Sequence, residues 1–206
     1  MPDDPMVNLG VDLIPEPRTW SPTDTMFALG DSVQIEIPEA PEVGDQFAAA
    51  DLAAALREEW DIDVSIGSPG AIRLQRQTGV AARAEGYQLD VTAAGVTIRG
   101  YDAAGLFWGT RTLLQAIRRG AEGPEIPGLS IVDWPAVQLR AMHYDTKHHQ
   151  GSFAYVQGLI RRLSRYKANA LVWEWEDKLA YESHPEIGAP GAFTKQQMQE
   201  LTAYGR

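Results

Sequence analysis

The sequence predicts an α+β domain followed by the first βα units of a parallel α/β domain. Three observations carry this. Strand-like alternation and helical periodicity mix without a regular order up to about Asp133. After Trp134-Pro135 the order becomes β-α-β-α, the pattern of parallel sheets and barrels. The 206 residues, 44% of them hydrophobic, supply enough apolar mass for a sizeable core.

The stretch through Pro22 is proline-rich and polar and is expected to be a surface lead-in. Val33–Ile37 alternates apolar and polar residues, as a half-buried strand does. Ala48, Leu52, Leu56 and Trp60 recur every four residues and predict one buried face of a helix over 45–60. Ile62–Ile66, Ile72–Leu74, Tyr87–Val91 and Val96–Ile98 return to the strand period. The last two are joined by Thr92-Ala93-Ala94-Gly95, a hairpin loop. Gly67-Ser68-Pro69-Gly70 is a turn rather than a phosphate loop. A second helix is expected from Ala103 to Arg118, with Leu106, Leu113, Leu114 and Ile117 buried. Arg118 and Arg119 would sit in its last turn with Gly120 beyond. Ala121–Pro127 then reads as a loop.

Beyond the boundary at Trp134–Ala136, Leu139–Tyr144 is a strand. Ser152 suits the N-cap of a helix with Phe153, Val156, Leu159, Ile160 and Leu163 on its apolar side. Ala170–Trp175 is a nearly continuous apolar run, expected to be covered on both faces. Thr194 suits the N-cap of a third helix.

Charge and composition exclude several functions. Lys and Arg number 18 and Asp and Glu 28, so 18 − 28 = −10. Nucleic acids and anionic membranes attract basic surfaces, and this chain is acidic. No apolar run approaches the roughly 18 residues that span a bilayer. Met1–Asn8 has no basic leader region, so a cytoplasmic location is expected. Without cysteine there is no disulfide, thiolate catalysis or cysteine-held metal. No dinucleotide or Walker fingerprint is present, and no cofactor is expected.

Two clusters carry candidate chemistry. Arg140-Ala141-Met142-His143-Tyr144-Asp145-Thr146-Lys147-His148-His149 runs along a strand and out of its C-terminal end, where α/β proteins bind ligands. Alternation sets Arg140, Met142 and Tyr144 against Ala141, His143 and Asp145. Arg140 and Asp145 equally suit ion pairs with neighbours. His148 and His149 are adjacent and lack a carboxylate at ligand spacing, so no metal site is assigned. The second cluster is Trp173-Glu174-Trp175-Glu176-Asp177-Lys178. Indole faces stack on sugar rings and carboxylates accept from hydroxyls, so this chemistry suggests a sugar site. A core Trp pair beside a solvated acidic loop explains the same residues.

At these residues the sequence resembles glycoside hydrolase family 20, the β-N-acetylhexosaminidases. Gly86–Val91 with Gly95–Gly100 resembles the hairpin of the family's accessory domain. Ala104–Gln115 resembles its "AGLFWGxQTLLQ" helix. Ile131–Pro135 and Arg140–His148 resemble "DxPRFxxRGxxLDxSRH", and Tyr166–Asp177 resembles "YKxNxLHWHLTDD" with both histidines replaced. The resemblance implies an α+β accessory domain with a mixed or antiparallel sheet and helices over 23–135, after a lead-in over 1–22. Residues 136–206 would then be the first two βα units of a truncated (β/α)8 TIM barrel. It implies a glycosidase that removes terminal N-acetylhexosamine, with a carbohydrate as partner. Arg140, Glu176 and Asp177 match substrate-binding positions, and Asp145 matches a structural orienter. The family's catalytic Asp-Glu pair lies after the fourth strand, so no catalytic residue is assigned. A barrel takes about 250 residues, and 206 − 135 = 71 follow Pro135. The isolated chain is therefore expected to be inactive. A non-catalytic carbohydrate-binding module and a fragment of another sugar hydrolase, such as an α-glucuronidase, are the alternatives.

Overall fold

The computed structural model describes residues 10–205. The lead-in and leader expectations for residues 1–9 lie outside the described residues. The chain divides into two compact units, 1–136 and 137–206.

In the first unit, eight strands form one sheet: β1 (Thr19–Ala28), β2 (Ser32–Glu36), β3 (Asp63–Ile66), β4 (Ile72–Arg76), β5 (Tyr87–Thr92), β6 (Gly95–Gly100), β7 (Arg118–Arg119) and β8 (Pro124–Asp133). The order is β1-β8-β5-β6-β4-β2-β3, with β7 also on β8. The β1, β8, β5 and β6 pairings are antiparallel, and those of β6, β4, β2 and β3 are parallel. The sheet is therefore mixed. Parallel β2 and β3 need a crossover, and α1 (Val43–Trp60) supplies it.

Period-four patterning puts Ala48, Leu52 and Leu56 at full burial, while Trp60 is partly buried. They share a core with Leu106 and Leu113 of α2 (Ala103–Ala116) and with Tyr87, Leu89, Val96 and Ile98 of the hairpin. The opposite face of the sheet is polar. There Asp90 accepts from Arg99 (2.7 Å), Ser130 (2.7 Å) and Gln88 (2.9 Å). Thr92–Gly95 closes the hairpin with Gly95 at φ +140°, a conformation that glycine adopts without strain.

Three local expectations are corrected. Strand β1 starts at Thr19, inside the expected lead-in, and Val11 and Leu13 are already buried. Helix α2 ends at Ala116, because Ile117 turns extended and Arg118–Arg119 pair with Pro124–Glu125. The expected loop over 121–127 therefore shortens, since β8 begins at Pro124.

The second unit is built as β9 (Ala141–Asp145), α3 (Phe153–Arg165), β10 (Ala170–Glu174) and α4 (Lys195–Tyr204). A 3-10 turn over Glu176–Lys178 follows β10. β9 and β10 pair in parallel, with Asp145 opposite Glu174. Ser152 caps α3 by accepting from the Tyr155 amide, and Thr194 caps α4 in a capping box with Gln197. Tyr144 and Trp173 pack with Val156, Ile160, Phe193 and Leu201. The other face carries His143, Val172, Asp145 and Glu174. Val172 is 53% exposed, so the expected two-sided cover of this strand is not present within the unit.

Candidate functional site

Parallel register and period-two alternation decide which side chains meet. Asp145 and Glu174 are register partners, so their side chains leave the same face, away from Tyr144 and Trp173. The chain then turns sharply after β9. The Lys147 amide donates to Asp145 Oδ1 (2.9 Å). This brings the Lys147 ammonium to Glu174 Oε1 (2.9 Å), Asp145 Oδ2 (3.6 Å) and Glu176 Oε1 (3.7 Å). His143 Nε2 lies 3.1 Å from the other Glu174 oxygen. One ammonium therefore gathers three carboxylates at the C-terminal ends of two adjacent parallel strands.

The electrostatics follow from this geometry. The Lys147 amide, reinforced by its ammonium, holds the Asp145 carboxyl below the usual carboxylate range. The hydrogen bond and charge of Lys147 do the same for Glu174. In return, the bond to Glu174 and the charges of Asp145 and Glu174 push the Lys147 ammonium up.

Thr146 locks the two strand ends together. It is fully buried. Its amide and its hydroxyl both donate to the Glu174 carbonyl (3.0 Å each), and the hydroxyl accepts from Trp173 Nε1 (3.1 Å). Trp173 thus belongs to the packed side of the unit, the core alternative left open for the tryptophans. Trp175 donates to the Tyr181 hydroxyl (3.1 Å) and lines a groove of about 630 Å³ with Tyr181 and Met198.

Of the residues singled out from sequence, Asp145 and Glu176 meet at this rim. Asp177 pairs with its neighbour Lys178, and its carbonyl accepts from the Ala189 amide (2.8 Å). Arg140 is placed apart from them. It precedes β9, so a five-residue strand of about 16 Å separates it from the rim. Its Nε donates to the Lys167 carbonyl (2.7 Å) and its Nη1 to those of Val137 (3.0 Å) and Gln138 (3.3 Å). Sequence reasoning noted Lys147, His143 and Glu174 without giving them roles. Pairing the alternation of the two strands in register would have found them. His148 and His149 stay on the exposed turn, and among the described residues no group of His, Asp and Glu is placed to hold a metal ion. No helix among the described residues is long and apolar enough to cross a membrane.

The first unit is thus a mixed sheet packed with two helices, and the second a pair of parallel βα units with an acid-rich strand-end rim. Residues 10–134 match the model of glycosyl hydrolase family 20, domain 2. The chain belongs to glycosyl hydrolase family 20. It is 26% identical to a β-hexosaminidase of Porphyromonas gingivalis over 97% of this chain and 29% of that protein. It is 29% identical to a β-N-acetylhexosaminidase of Cellulomonas fimi over 84% of this chain and 36% of that protein. The Streptomyces plicatus N-acetyl-β-hexosaminidase bound to Thio-NAglucal superposes with a TM-score of 0.81 at 28% identity, covering 94% of this chain and 43% of that one. A Vibrio harveyi family 20 exo-β-N-acetylglucosaminidase shares the fold at a TM-score of 0.84 and 22% identity. The chain spans under half the length of each of these proteins.

Proposed function

We propose that this chain is the N-terminal portion of a glycosidase that removes terminal N-acetylhexosamine by substrate-assisted, retaining hydrolysis. Residues from about 10 to 135 are its accessory domain, and residues 136–206 begin a (β/α)8 barrel. The observation that carries the reading is the meeting of Asp145, Glu174 and Glu176 around Lys147 at the C-terminal ends of two parallel strands. That end is where barrels place their chemistry. The family match and the likeness to β-hexosaminidases support the substrate class.

In this reading the acetamido carbonyl of the sugar attacks the anomeric carbon, and an Asp-Glu pair orients it and protonates the leaving group. That pair belongs to later strands. Asp177 follows the second strand and does not take the role. Glu176 and Asp177 contact sugar hydroxyls, Asp145 orients, and Arg140 anchors the base of β9 through its bonds to backbone carbonyls.

The test is turnover of an aryl N-acetylglucosaminide. The purified 206-residue chain releases no aryl alcohol, while a chain continued to an Asp-Glu pair after two more βα units does. Turnover by the 206-residue chain that disappears in Glu176→Ala or Asp177→Ala overturns the reading. An extended enzyme that cleaves aryl glucuronides instead makes it an α-glucuronidase.

A further inference from the structure

Among the described residues, the mixed sheet of the first unit ends at β1 on one side and β3 on the other. A sheet edge presents unpaired N–H and C=O groups on which another strand can add. The two edges differ in how they resist this. β1 carries Pro22 and a register shift between Pro22 and Met26, and both interrupt an edge ladder. β3 has neither device. Its Val64-Ser65-Ile66 run holds no proline, charge or bulge, and Ile66 is 46% exposed.

The hydrogen bonds to β2 show which backbone groups of β3 face outward. The Asp63 amide donates to the Asp31 carbonyl and the Gly67 amide to that of Ile35, each at 2.9 Å. Successive residues of a strand turn their backbone groups to opposite sides, so Val64 and Ile66 turn theirs to the edge. The end of α1 intervenes there. Asp61, left-handed at φ +57°, folds the chain back from helix to strand, and the Ile62 amide returns to the Leu56 carbonyl (3.3 Å). This reversal sets Arg57, in the last helical turn, beside the strand. Its guanidinium donates to the Val64 carbonyl. An outward acceptor is thereby filled, and a cation stands at the edge.

The strand that best fits this edge is β3 of a second copy. Run antiparallel about a two-fold axis at Ser65, Val64 and Ile66 of one copy exchange N–H and C=O with Ile66 and Val64 of the other. Serine then faces serine across the axis, with no like charges directly opposed. Arg57 removes the Val64 acceptor on each side and brings two guanidinium groups toward one another. We propose that Arg57 is an edge guard that keeps the β3 edges of two copies of this chain from pairing.

The chain has no cysteine, so Ser65→Cys supplies a single reporter of this edge. Facing residues of an antiparallel pair lie about 4.5–5.5 Å apart at Cα, within disulfide reach. The full chain carrying Ser65→Cys is oxidised with and without Arg57→Ala. Self-association of the cysteine-free proteins is measured by sedimentation at about 0.15 M salt, which screens charge beyond about 8 Å. Arg57→Ala should cross-link at least tenfold faster than the Ser65→Cys parent. It should also associate about tenfold more tightly than wild type, as the return of a backbone acceptor in each copy allows. Ile66→Lys, a charge on the same edge, should restore both readings to within about twofold of the guarded protein. Equal cross-linking with and without Arg57 overturns the proposal. So does tighter association that survives Ile66→Lys, because it uses another surface. If Arg57→Ala does not fold, Arg57→Gln, too short to reach the Val64 carbonyl, decides by the same readings.

Discussion

Replacing Gly105 by alanine should destabilise the first unit, while the same change at Gly158 should stabilise the second. Mid-helix glycine costs about 1 kcal/mol relative to alanine, so both changes gain some helix propensity. Gly105 is the third residue of α2, and a Cβ there falls closer than 3.0 Å to the Gly86 carbonyl oxygen, where ordinary contact is 3.4 Å or more. That oxygen cannot retreat easily, since it accepts from the Tyr101 amide at 2.9 Å. Nor can the helix start move, since Asp102 accepts from the Gly105 amide (2.8 Å) and the Glu85 amide (3.0 Å). Overpacking against a rigid backbone costs about 1–3 kcal/mol; less a propensity gain of up to about 1 kcal/mol, the net loss is about 1–2 kcal/mol, since a contact this short sits in the upper part of the range. At Gly158 the nearest atom to a new Cβ is the end of the flexible Arg162 side chain, at 3.3 Å. There the helical gain of up to about 1 kcal/mol survives. Native-state hydrogen exchange reads each unit separately, with β5 and β6 amides for the first and α3 amides for the second. Unchanged or slower exchange at Leu89 and Ile98 in Gly105→Ala would refute the argument.

Three further outcomes are expected. Burial, and then the Asp133 carboxylate, pushes the Tyr87 phenol well above the ordinary range. The folded chain keeps that proton above about pH 10 while the unfolded chain releases it, so stability falls as pH climbs past that point. A spectrophotometric phenol titration should show one of the seven tyrosines ionising only with unfolding, and its absence rules out the buried pairing with Thr112 and Asp133. Thr146→Val keeps the shape but leaves Trp173 Nε1 without its acceptor. Loss of about 1–3 kcal/mol in exchange protection across 170–174 is expected, and wild-type protection would show that Thr146 does not lock the strand ends. Limited proteolysis should cut the exposed 136–139 segment and leave 1–136 cooperatively folded, checked by calorimetry of the purified piece.

Much of the fold is legible because its signals are local. The period-four stripe of α1, the Thr92–Gly95 turn and the Ser152 and Thr194 caps each depend on residues within one or two turns of chain. What sequence missed depends on distant partners. Strand β1 reads Thr-Trp-Ser-Pro-Thr-Asp-Thr, with a register shift between Pro22 and Met26. As an edge strand it is largely exposed, so it lacks the buried alternation that marks inner strands, and proline is tolerated there. Arg118-Arg119-Gly120 obeys the local rule for a helix end. Pairing with Pro124–Glu125 and the Arg118–Glu125 ion pair at 2.9 Å override it. The site divides the same way. Asp145 and the acidic run after β10 were visible. That Asp145 faces Glu174 depends on a register between strands 29 residues apart.

Arg140 shows how a motif position and a role separate. Its match to a sugar-binding arginine rests on sequence order, but order along a strand also fixes height, and Arg140 sits at the entry of β9. There the chain needs donors. The carbonyls of Val137, Gln138 and Lys167 converge where the connection from α3 meets the start of the strand, and the guanidinium fork fills that need. Asn169 completes the joint. It accepts from the Arg140 amide at 2.8 Å, gives its side-chain amide to the Gln138 carbonyl at 2.7 Å, and donates its backbone amide to the Arg140 carbonyl at 3.0 Å. The Tyr166-Lys167-Ala168-Asn169 segment, met first as part of a family-like motif, thereby acquires a physical reason. It sets the register that puts Ala170 opposite Ala141 and, four residues on, Glu174 opposite Asp145. The base of the strands fixes which carboxylates Lys147 can gather at their other end.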